Sequence, residues 1–288
     1  MELFINTMKK MAKKIIIKKK EIEDTFIIIK GLCEDVAEQR QVYTYIKVDD
    51  EIINLILMYK QYTKIKFEPN IIHPIDFAKL EHITELEISN CKKCPINLDK
   101  LHNLTKLYIN IEDDFENTIN NITKIENLED LILNISAFVD INDNYVLDLT
   151  MLTKLKKLEL KNYNKSIDNL PMSLEELKLD TNVNLDNLPN NVKILNLKDC
   201  YSFEYSLNLL PDSIEELYLP NFYFQKINKI PKNLKLIKYF STKSNYYKMT
   251  LQKAEFKKQP ISQEELHKLY ESLDNKDINI INYDYDDY

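Results

Sequence analysis

The spacing L-x-x-L-x-L, with isoleucine, valine or tyrosine at times in place of leucine, recurs through the middle of this 288-residue chain. It reads Ile83-Leu86-Ile88, Leu104-Leu107-Ile109, Leu128-Leu131-Leu133, Leu155-Leu158-Leu160, Leu174-Leu177-Leu179, Val192-Leu195-Leu197 and Ile214-Leu217-Leu219. Weaker copies flank these seven, Tyr62-Ile65-Phe67 before and Leu234-Ile237-Tyr239 after. The period is roughly 20 residues, with longer intervals between Leu104 and Leu128 and between Leu128 and Leu155. A short strand that buries alternate residues, followed by a polar turn and a return segment, cannot bury its inner face alone. Stacked coils can, because each covers its neighbour. The pattern therefore commits the middle of the chain to a solenoid. Parallel strands about 4.8 Å apart place nine of them in a sheet roughly 40 Å long.

Repeats of this length lie in the leucine-rich-repeat range. Most of the intervals leave little room for a helix on the return side. Extended chain or short helical turns are expected there, with a helix only at 115–125 and 137–152. Three places after the last apolar residue such repeats favour Asn or Cys, and Asn70, Cys91, Asn182 and Cys200 stand there. Glu112, Ser136, Tyr163, Phe222 and Thr242 occupy the other copies, so the ladder of side chains bonding from coil to coil is partial.

Composition removes whole classes of chemistry. The chain has one glycine, Gly31, and no tryptophan, where average usage would give roughly 20 glycines. Backbone cradles for phosphate and the sharp nucleophile elbow of hydrolases both need glycine, so neither can be built. At 44% hydrophobic and 30% charged residues the chain can bury a sizeable core. Its apolar runs, such as Ile15-Ile16-Ile17 and Phe26-Ile27-Ile28-Ile29, are of strand length. No segment reads as a membrane span or a signal peptide. Four cysteines then fit free thiols in a reducing, cytoplasmic compartment.

The later copies carry a proline three residues before the first apolar position, at Pro171, Pro189, Pro211 and Pro231. Proline fixes φ and keeps the preceding residue extended, guiding the chain into the next strand. With these residues the sequence resembles leucine-rich-repeat proteins of the short L-P-x-x-L-x-x-L-x-L type. More particularly, it is similar to the FNIP repeats of amoebae and their large DNA viruses. The best local match runs from Phe222 to Leu234 through Ile227, Ile230 and Pro231, with Gln225 and Lys226 departing from the family's pattern. The resemblance covers 62–242. It implies an α/β leucine-rich-repeat solenoid, with a curved parallel sheet on the concave side and an irregular or short-helical convex side. It also implies that the protein holds other proteins and carries no catalytic residues. The richness in Asn, Ile, Lys and Tyr agrees with an AT-rich coding genome, and the cytoplasm of a virus's or parasite's host cell is included in the expected setting.

Three parts are expected: an N-terminal cap with a basic tail over 1–61, the solenoid of about nine repeats over 62–242, and a C-terminal cap helix with an acidic tail over 243–288. Residues 1–20 carry seven lysines against Glu2, and 271–288 carry six acids against Lys276. The first part reads as a strand pair (14–19 and 25–30), a short helix after Leu32, a strand over 42–48 and an apolar helix over 50–59. That last helix resembles the first helix of an F-box, which makes a substrate receptor of a ubiquitin ligase the alternative reading. Repeat strands begin too soon afterwards to leave room for further F-box helices. In the third part Ser262-Gln263-Glu264-Glu265 is a capping box opening a helix to about Leu273. The tail from Asn282 to Tyr288 is expected to be disordered.

Candidate chemistry is sparse. Cys91 and Cys94, with His82 and His102 on either side, have half the makings of a zinc site, yet Cys91 already fills a structural ladder position. The histidines at 73, 82, 102 and 267 are scattered, and the carboxylate pairs Glu85/Glu87 and Glu175/Glu176 are repeat positions. No catalytic residue, metal or cofactor is expected, and the protein is read as no enzyme.

The third, fifth and seventh residues of each copy face outward from the sheet. The third column reads Lys64, Glu85, Lys106, Asp130, Lys157, Glu176, Ile194, Glu216, Leu236, alternating in sign through six strands. The three columns hold eight lysines and eight acids. A neutral face does not neutralise phosphates, so nucleic acid is not expected on the concave face. The fifth column supplies apolar contacts framed by charge: Tyr108 beside Ile132, and Tyr218 near Phe240, with Glu159 and Lys178 between them. These six are the candidate partner-binding residues, on a protein scaffold or adaptor expected to be a monomer away from membranes.

Overall fold

The computed structural model describes residues 3–5, 13–19, 25–35, 40–43, 50–58, 60, 63–71, 75–93, 95–201, 203–220, 223, 227, 229–240 and 279–283. Up to residue 43, and over 279–283, only the course of the backbone is described. The chain opens with β1 (Leu3–Ile5), β2 (Lys13–Lys19), β3 (Thr25–Asp35), β4 (Arg40–Tyr43) and α1 (Asp50–Met58). The repeats follow as β5 (Lys64–Ile71), β6 (Glu85–Cys91), β7 (Lys106–Ile111), α2 (Phe115–Ile122), β8 (Asp130–Ile135), β9 (Val146–Asp148) and β10 (Lys157–Lys161). Then come β11 (Ser166–Asn169), β12 (Glu176–Leu179), β13 (Ile194–Asn196), β14 (Glu216–Tyr218), β15 (Leu236–Phe240) and finally β16 (Asn279–Tyr283).

One sheet runs through the molecule in the order β1-β2-β3-β5-β6-β7-β8-β10-β12-β13-β14-β15-β16, with β4 pairing off β3. From β3 to β16 every neighbour along this path is parallel. The nine strands of the repeats pair with their third residues in line. Lys64 meets Glu85, then Lys106, Asp130, Lys157, Glu176, Ile194, Glu216 and Leu236 in succession. This is the alignment the repeat predicts, and the architecture is a parallel-sheet solenoid with little helix.

The apolar positions explain why. The fourth column, from Ile65 and Leu86 to Leu217 and Ile237, is buried throughout, as are the first and sixth columns at every described residue. Together they form one contiguous core from Ile53 to Ile237. Eight of the nine repeat strands, from β6 to β15 along the path, are led in by one recurring turn. The N–H of Leu174 donates to the carbonyl of Pro171 at 3.1 Å, and Val192, Ile214 and Leu234 do the same to Pro189, Pro211 and Pro231 at 3.2 Å. Earlier copies make the turn with leucine or isoleucine in place of proline: Ile83 to Leu80, Leu104 to Leu101, Leu128 to Ile125 and Leu155 to Leu152. Proline suits a position whose N–H the turn does not use and whose φ it fixes in advance.

The lone glycine takes no part in the bends. Gly31 lies inside β3 opposite Lys13. Among the described residues Asn97, Asp114 and Asn162 adopt left-handed backbone, at φ of 57°, 54° and 58°. Asn and Asp tolerate that conformation better than other side chains, so they supply the bends.

Several expectations need correction. The helix expected after Leu32 does not begin there, because Leu32–Asp35 continue β3 and pair antiparallel with β4. Of the two return segments long enough for a helix, the first holds α2, but 137–152 does not. There the N–H groups of Asn144 and Thr150 bond to the side chains of Asn142 and Asp148, at 2.9 and 3.0 Å. Such local bonds compete with helix, and β9 instead pairs with β11. Asn282 and Tyr283, expected to open a disordered tail, belong instead to β16, which extends the sheet beside β15. The C-terminal helix over 262–273, the strand over 44–48, Cys94, Phe222, Thr242 and residues 284–288 lie outside the described residues. So do the side chains of Asn70 and Phe240.

Replacing Leu177, fully buried in the fourth column, by alanine leaves a cavity and is expected to cost about 3 kcal/mol of stability in urea denaturation. Met172 sits in the turn just ahead of that strand and is 61% exposed. Met172→Ala is expected to stay within about 0.5 kcal/mol, and similar losses for the two would contradict the core assignment.

Candidate functional site

In the repeats, strand residues on the face opposite the core are half-exposed, alternating with buried ones in β8, β12, β13 and β14. The third-column charges pair in couples across neighbouring strands: Lys64 with Glu85 at 3.0 Å, Lys106 with Asp130 at 2.8 Å, and Lys157 with Glu176 at 3.0 Å. Lys66 and Glu87 add a fifth-column couple at 2.6 Å. Each carboxylate of Glu85/Glu87 therefore faces a lysine rather than its fellow. Partly exposed pairs of this kind contribute at most about 1 kcal/mol each, so their main effect is to cancel charge on the face.

The candidate fifth-column residues stand in one register. Tyr108 lies beside Ile132, Ile132 beside Glu159, and Glu159 beside Lys178. Asn196 follows, then Tyr218 beside Lys238. Tyr108, Ile132 and Tyr218 are all half-buried rather than fully exposed. Phe240 ends β15, in line with Tyr283 of β16.

Glu159 and Lys178 anchor a charged knot between the two aromatic ends. The Lys178 ammonium lies 3.1 Å from both Glu159 and Asp199, and Lys161 lies 3.1 Å from Glu159. Burial pushes the pKa of Lys178 down, but the two carboxylates outweigh it and hold the group above its ordinary value. Asp180 lines the same small hollow. Burial raises its carboxyl against the opposing pull of the Asn162 N–H, which donates to it at 2.7 Å, and of Lys161. Toward the far end the Tyr218 hydroxyl donates to Glu216 at 3.1 Å, and Lys238 sits 4.8 Å over the Tyr218 ring.

Among the described residues the other candidate chemistry is not assembled. Cys91 is buried and its thiol donates to the Lys93 carbonyl at 2.9 Å. His82 is half-buried, which lowers its pKa, while His102 is exposed. Among the described residues no three His, Cys, Asp or Glu side chains cluster as a metal would need. At the other ladder positions the Cys200 thiol donates to Leu179 and Thr181, and burial pushes its pKa up to about 12. Tyr163 stacks on Phe115 and donates to the Ser166 carbonyl at 2.9 Å. Helix α1 buries Ile53 and Ile56 in the solenoid core, so these two apolar residues of the F-box-like segment are already covered. Among the described residues no helix is long and apolar enough to cross a membrane.

Two ladders were not foreseen. In the second column Lys156 bonds Glu129 at 2.8 Å, Lys193 bonds Glu175 at 2.8 Å and Lys235 bonds Glu215 at 2.6 Å. In the turns, a polar residue before the first apolar position bonds the previous coil's backbone. Asn103 reaches Glu81, Asn127 reaches His102, Asn191 reaches Met172 and Ser213 reaches Val192, at 2.6 to 2.8 Å. Both columns are visible once the copies are aligned, but the leucine spacing draws attention away from them.

Because the folded carboxyl of Asp180 sits above its ordinary value, the folded state holds its proton more tightly than the unfolded chain does. Ionisation at neutral pH thus works against folding. Asp180→Asn, which keeps an oxygen for the Asn162 N–H, is expected to raise the urea midpoint at pH 7, with the gain shrinking as pH falls through the carboxyl range. A gain that grew on acidification would contradict this sign.

The chain is similar to an uncharacterized leucine-rich repeat-containing protein of Amsacta moorei entomopoxvirus, 30% identical over 226 residues. The match covers 75% of this chain and 43% of that relative, so the chain spans less than half the relative's length. No family profile matches the chain. Aligned repeats, buried apolar columns and this likeness together support a leucine-rich-repeat-type protein.

Proposed function

We propose that this protein is a non-catalytic scaffold or adaptor that binds a partner protein on the outward face of its sheet. The observation that carries this reading is the uncharged Tyr108–Ile132 pair in the middle of a face whose charges are cancelled by their own neighbours. Half-buried aromatic and aliphatic groups ringed by polar contacts have the composition of binding hot spots. Tyr218 supplies a second anchor four strands further on, with the charged knot of Glu159 and Lys178 between them. Phe240, at the end of β15 in line with Tyr283 of β16, completes the set of candidates. A face with its charges paired lacks the uncompensated positive field that nucleic acid requires, which favours protein as the ligand. The cytoplasm fits the buried, free thiol of Cys200.

Affinity capture with the wild-type chain and with a Tyr108→Ala, Tyr218→Ala double variant tests the assignment. The double variant, shown by urea denaturation to be folded, is expected to retain partner at least about tenfold less well. Equal retention of the same partners by both proteins would place the binding surface elsewhere.

A further inference from the structure

The third-column ladder stops before the sheet does. From β5 to β12 cation and carboxylate alternate, and the next cation is due in β13. Ile194 stands there instead, and after Glu216 in β14 the following position is Leu236. Glu216 is thus a carboxylate with an aliphatic side chain on either flank, each half-buried on the outward face. Among the described residues it has no lysine within ion-pair distance. Its side-chain donor there is the Tyr218 hydroxyl, which bonds Oε2 and leaves Oε1 to an incoming group. The adjacent cation, Lys238, is held over the Tyr218 ring.

Resting on the sheet-face reading above, we propose that this break in the ladder is where the partner inserts a lysine or arginine side chain. The chemistry on the page selects that class of side chain. Its apolar stem matches Ile194 and Leu236, and its cationic head supplies Glu216 with the charge that the missing ladder lysine does not. A carboxylate of the partner would meet Glu216 and be repelled. A purely apolar group would strip water from Glu216 without pairing it, which is costly. The carboxylates ahead of it in the third and fifth columns already have lysines: Glu85, Asp130 and Glu176 in the third, Glu87 and Glu159 in the fifth. Glu216 is therefore the position in these two columns where an incoming cation gains most.

Selection of random twelve-residue peptides displayed on phage against the full chain tests this, with individual peptides then measured by fluorescence anisotropy. Peptides enriched on the wild type are expected to share a lysine or arginine and to weaken as salt is raised. Glu216→Gln is expected to weaken them roughly tenfold, the scale of one hydrogen bond to a charged group. Ile194→Lys is the sharper variant, because it completes the ladder and neutralises Glu216 from within. It is expected to abolish binding of the basic peptides while leaving the urea midpoint unchanged or higher. Recovery of no basic peptide, or basic peptides that bind Glu216→Gln and Ile194→Lys as well as wild type, overturns the proposal. Peptides sensitive to Tyr108→Ala but indifferent to Glu216 and Ile194 would overturn it while leaving the sheet-face scaffold standing. Peptides indifferent to all of these variants would sink both.

Discussion

Every coil of this protein depends on its neighbours to cover its leucines. The first, fourth and sixth positions of a repeat point into a core that exists only because the next repeat lies one strand spacing away. Register is therefore the quantity on which the rest turns. A slip of one residue between two strands would carry Leu177 to the outward face and Lys178 into the core. The backbone locks this alignment with a repeated device: the carbonyls of Thr84, Thr105, Glu129, Lys156, Glu175 and Lys193 each accept two successive N–H groups from the following coil. Turn side chains such as Asn127 and Asn191 add a bond of the same sense. Between them they hold the coils in line where the ladder of Asn and Cys is only partial.

The same alignment converts a one-dimensional sequence into a two-dimensional surface. Lysines and acids a full repeat apart in the chain meet within 3.0 Å on the sheet, as Lys64 does with Glu85 and Lys156 with Glu129. Individually these pairs add little to stability. Collectively they remove charge from the face, so that the residues interrupting the ladders set its character. Tyr108, Ile132, Asn196 and Tyr218 in the fifth column and Ile194 and Leu236 in the third are those interruptions.

How much of this is legible in the sequence depends on whether a feature repeats. The registers of β5 to β15 follow from the leucine spacing alone, because a shared period of apolar positions fixes which residues stand side by side. The flanks are another matter. β3 joins β5 in the register Phe26 with Lys64 and Ile28 with Lys66, but its run of four apolar residues shows no alternation and reads only as a buried strand. β15 ends at Phe240 and β16 begins only at Asn279, an interval well outside the repeat period. The return segment at 137–152 misleads for a local reason, since Asn142 and Asp148 bond their own backbone and turn a helix-length stretch into turns and a strand. The candidate site is half legible: its columns follow from the period, while the engagement of Tyr218 with Glu216, and of Lys178 with two carboxylates at once, depends on side-chain directions that spacing does not encode.

The one glycine of the chain lies in a strand rather than in a loop that approaches a ligand. What distinguishes one such protein from another is where its ladders are broken. A charge ladder is self-satisfying: each member has a neighbour of opposite sign, and an arriving partner must compete with a pair already made. At a break the competition disappears. Tyr108 and Ile132 interrupt the fifth column with groups that gain by losing water. Ile194 and Leu236 interrupt the third column and leave Glu216 to find its cation elsewhere. A partner that met both breaks would reach from β7 to β15, six strand spacings of about 4.8 Å or roughly 29 Å. That length suits an extended segment or the long edge of a folded domain, presenting an apolar group at one end and a basic one at the other.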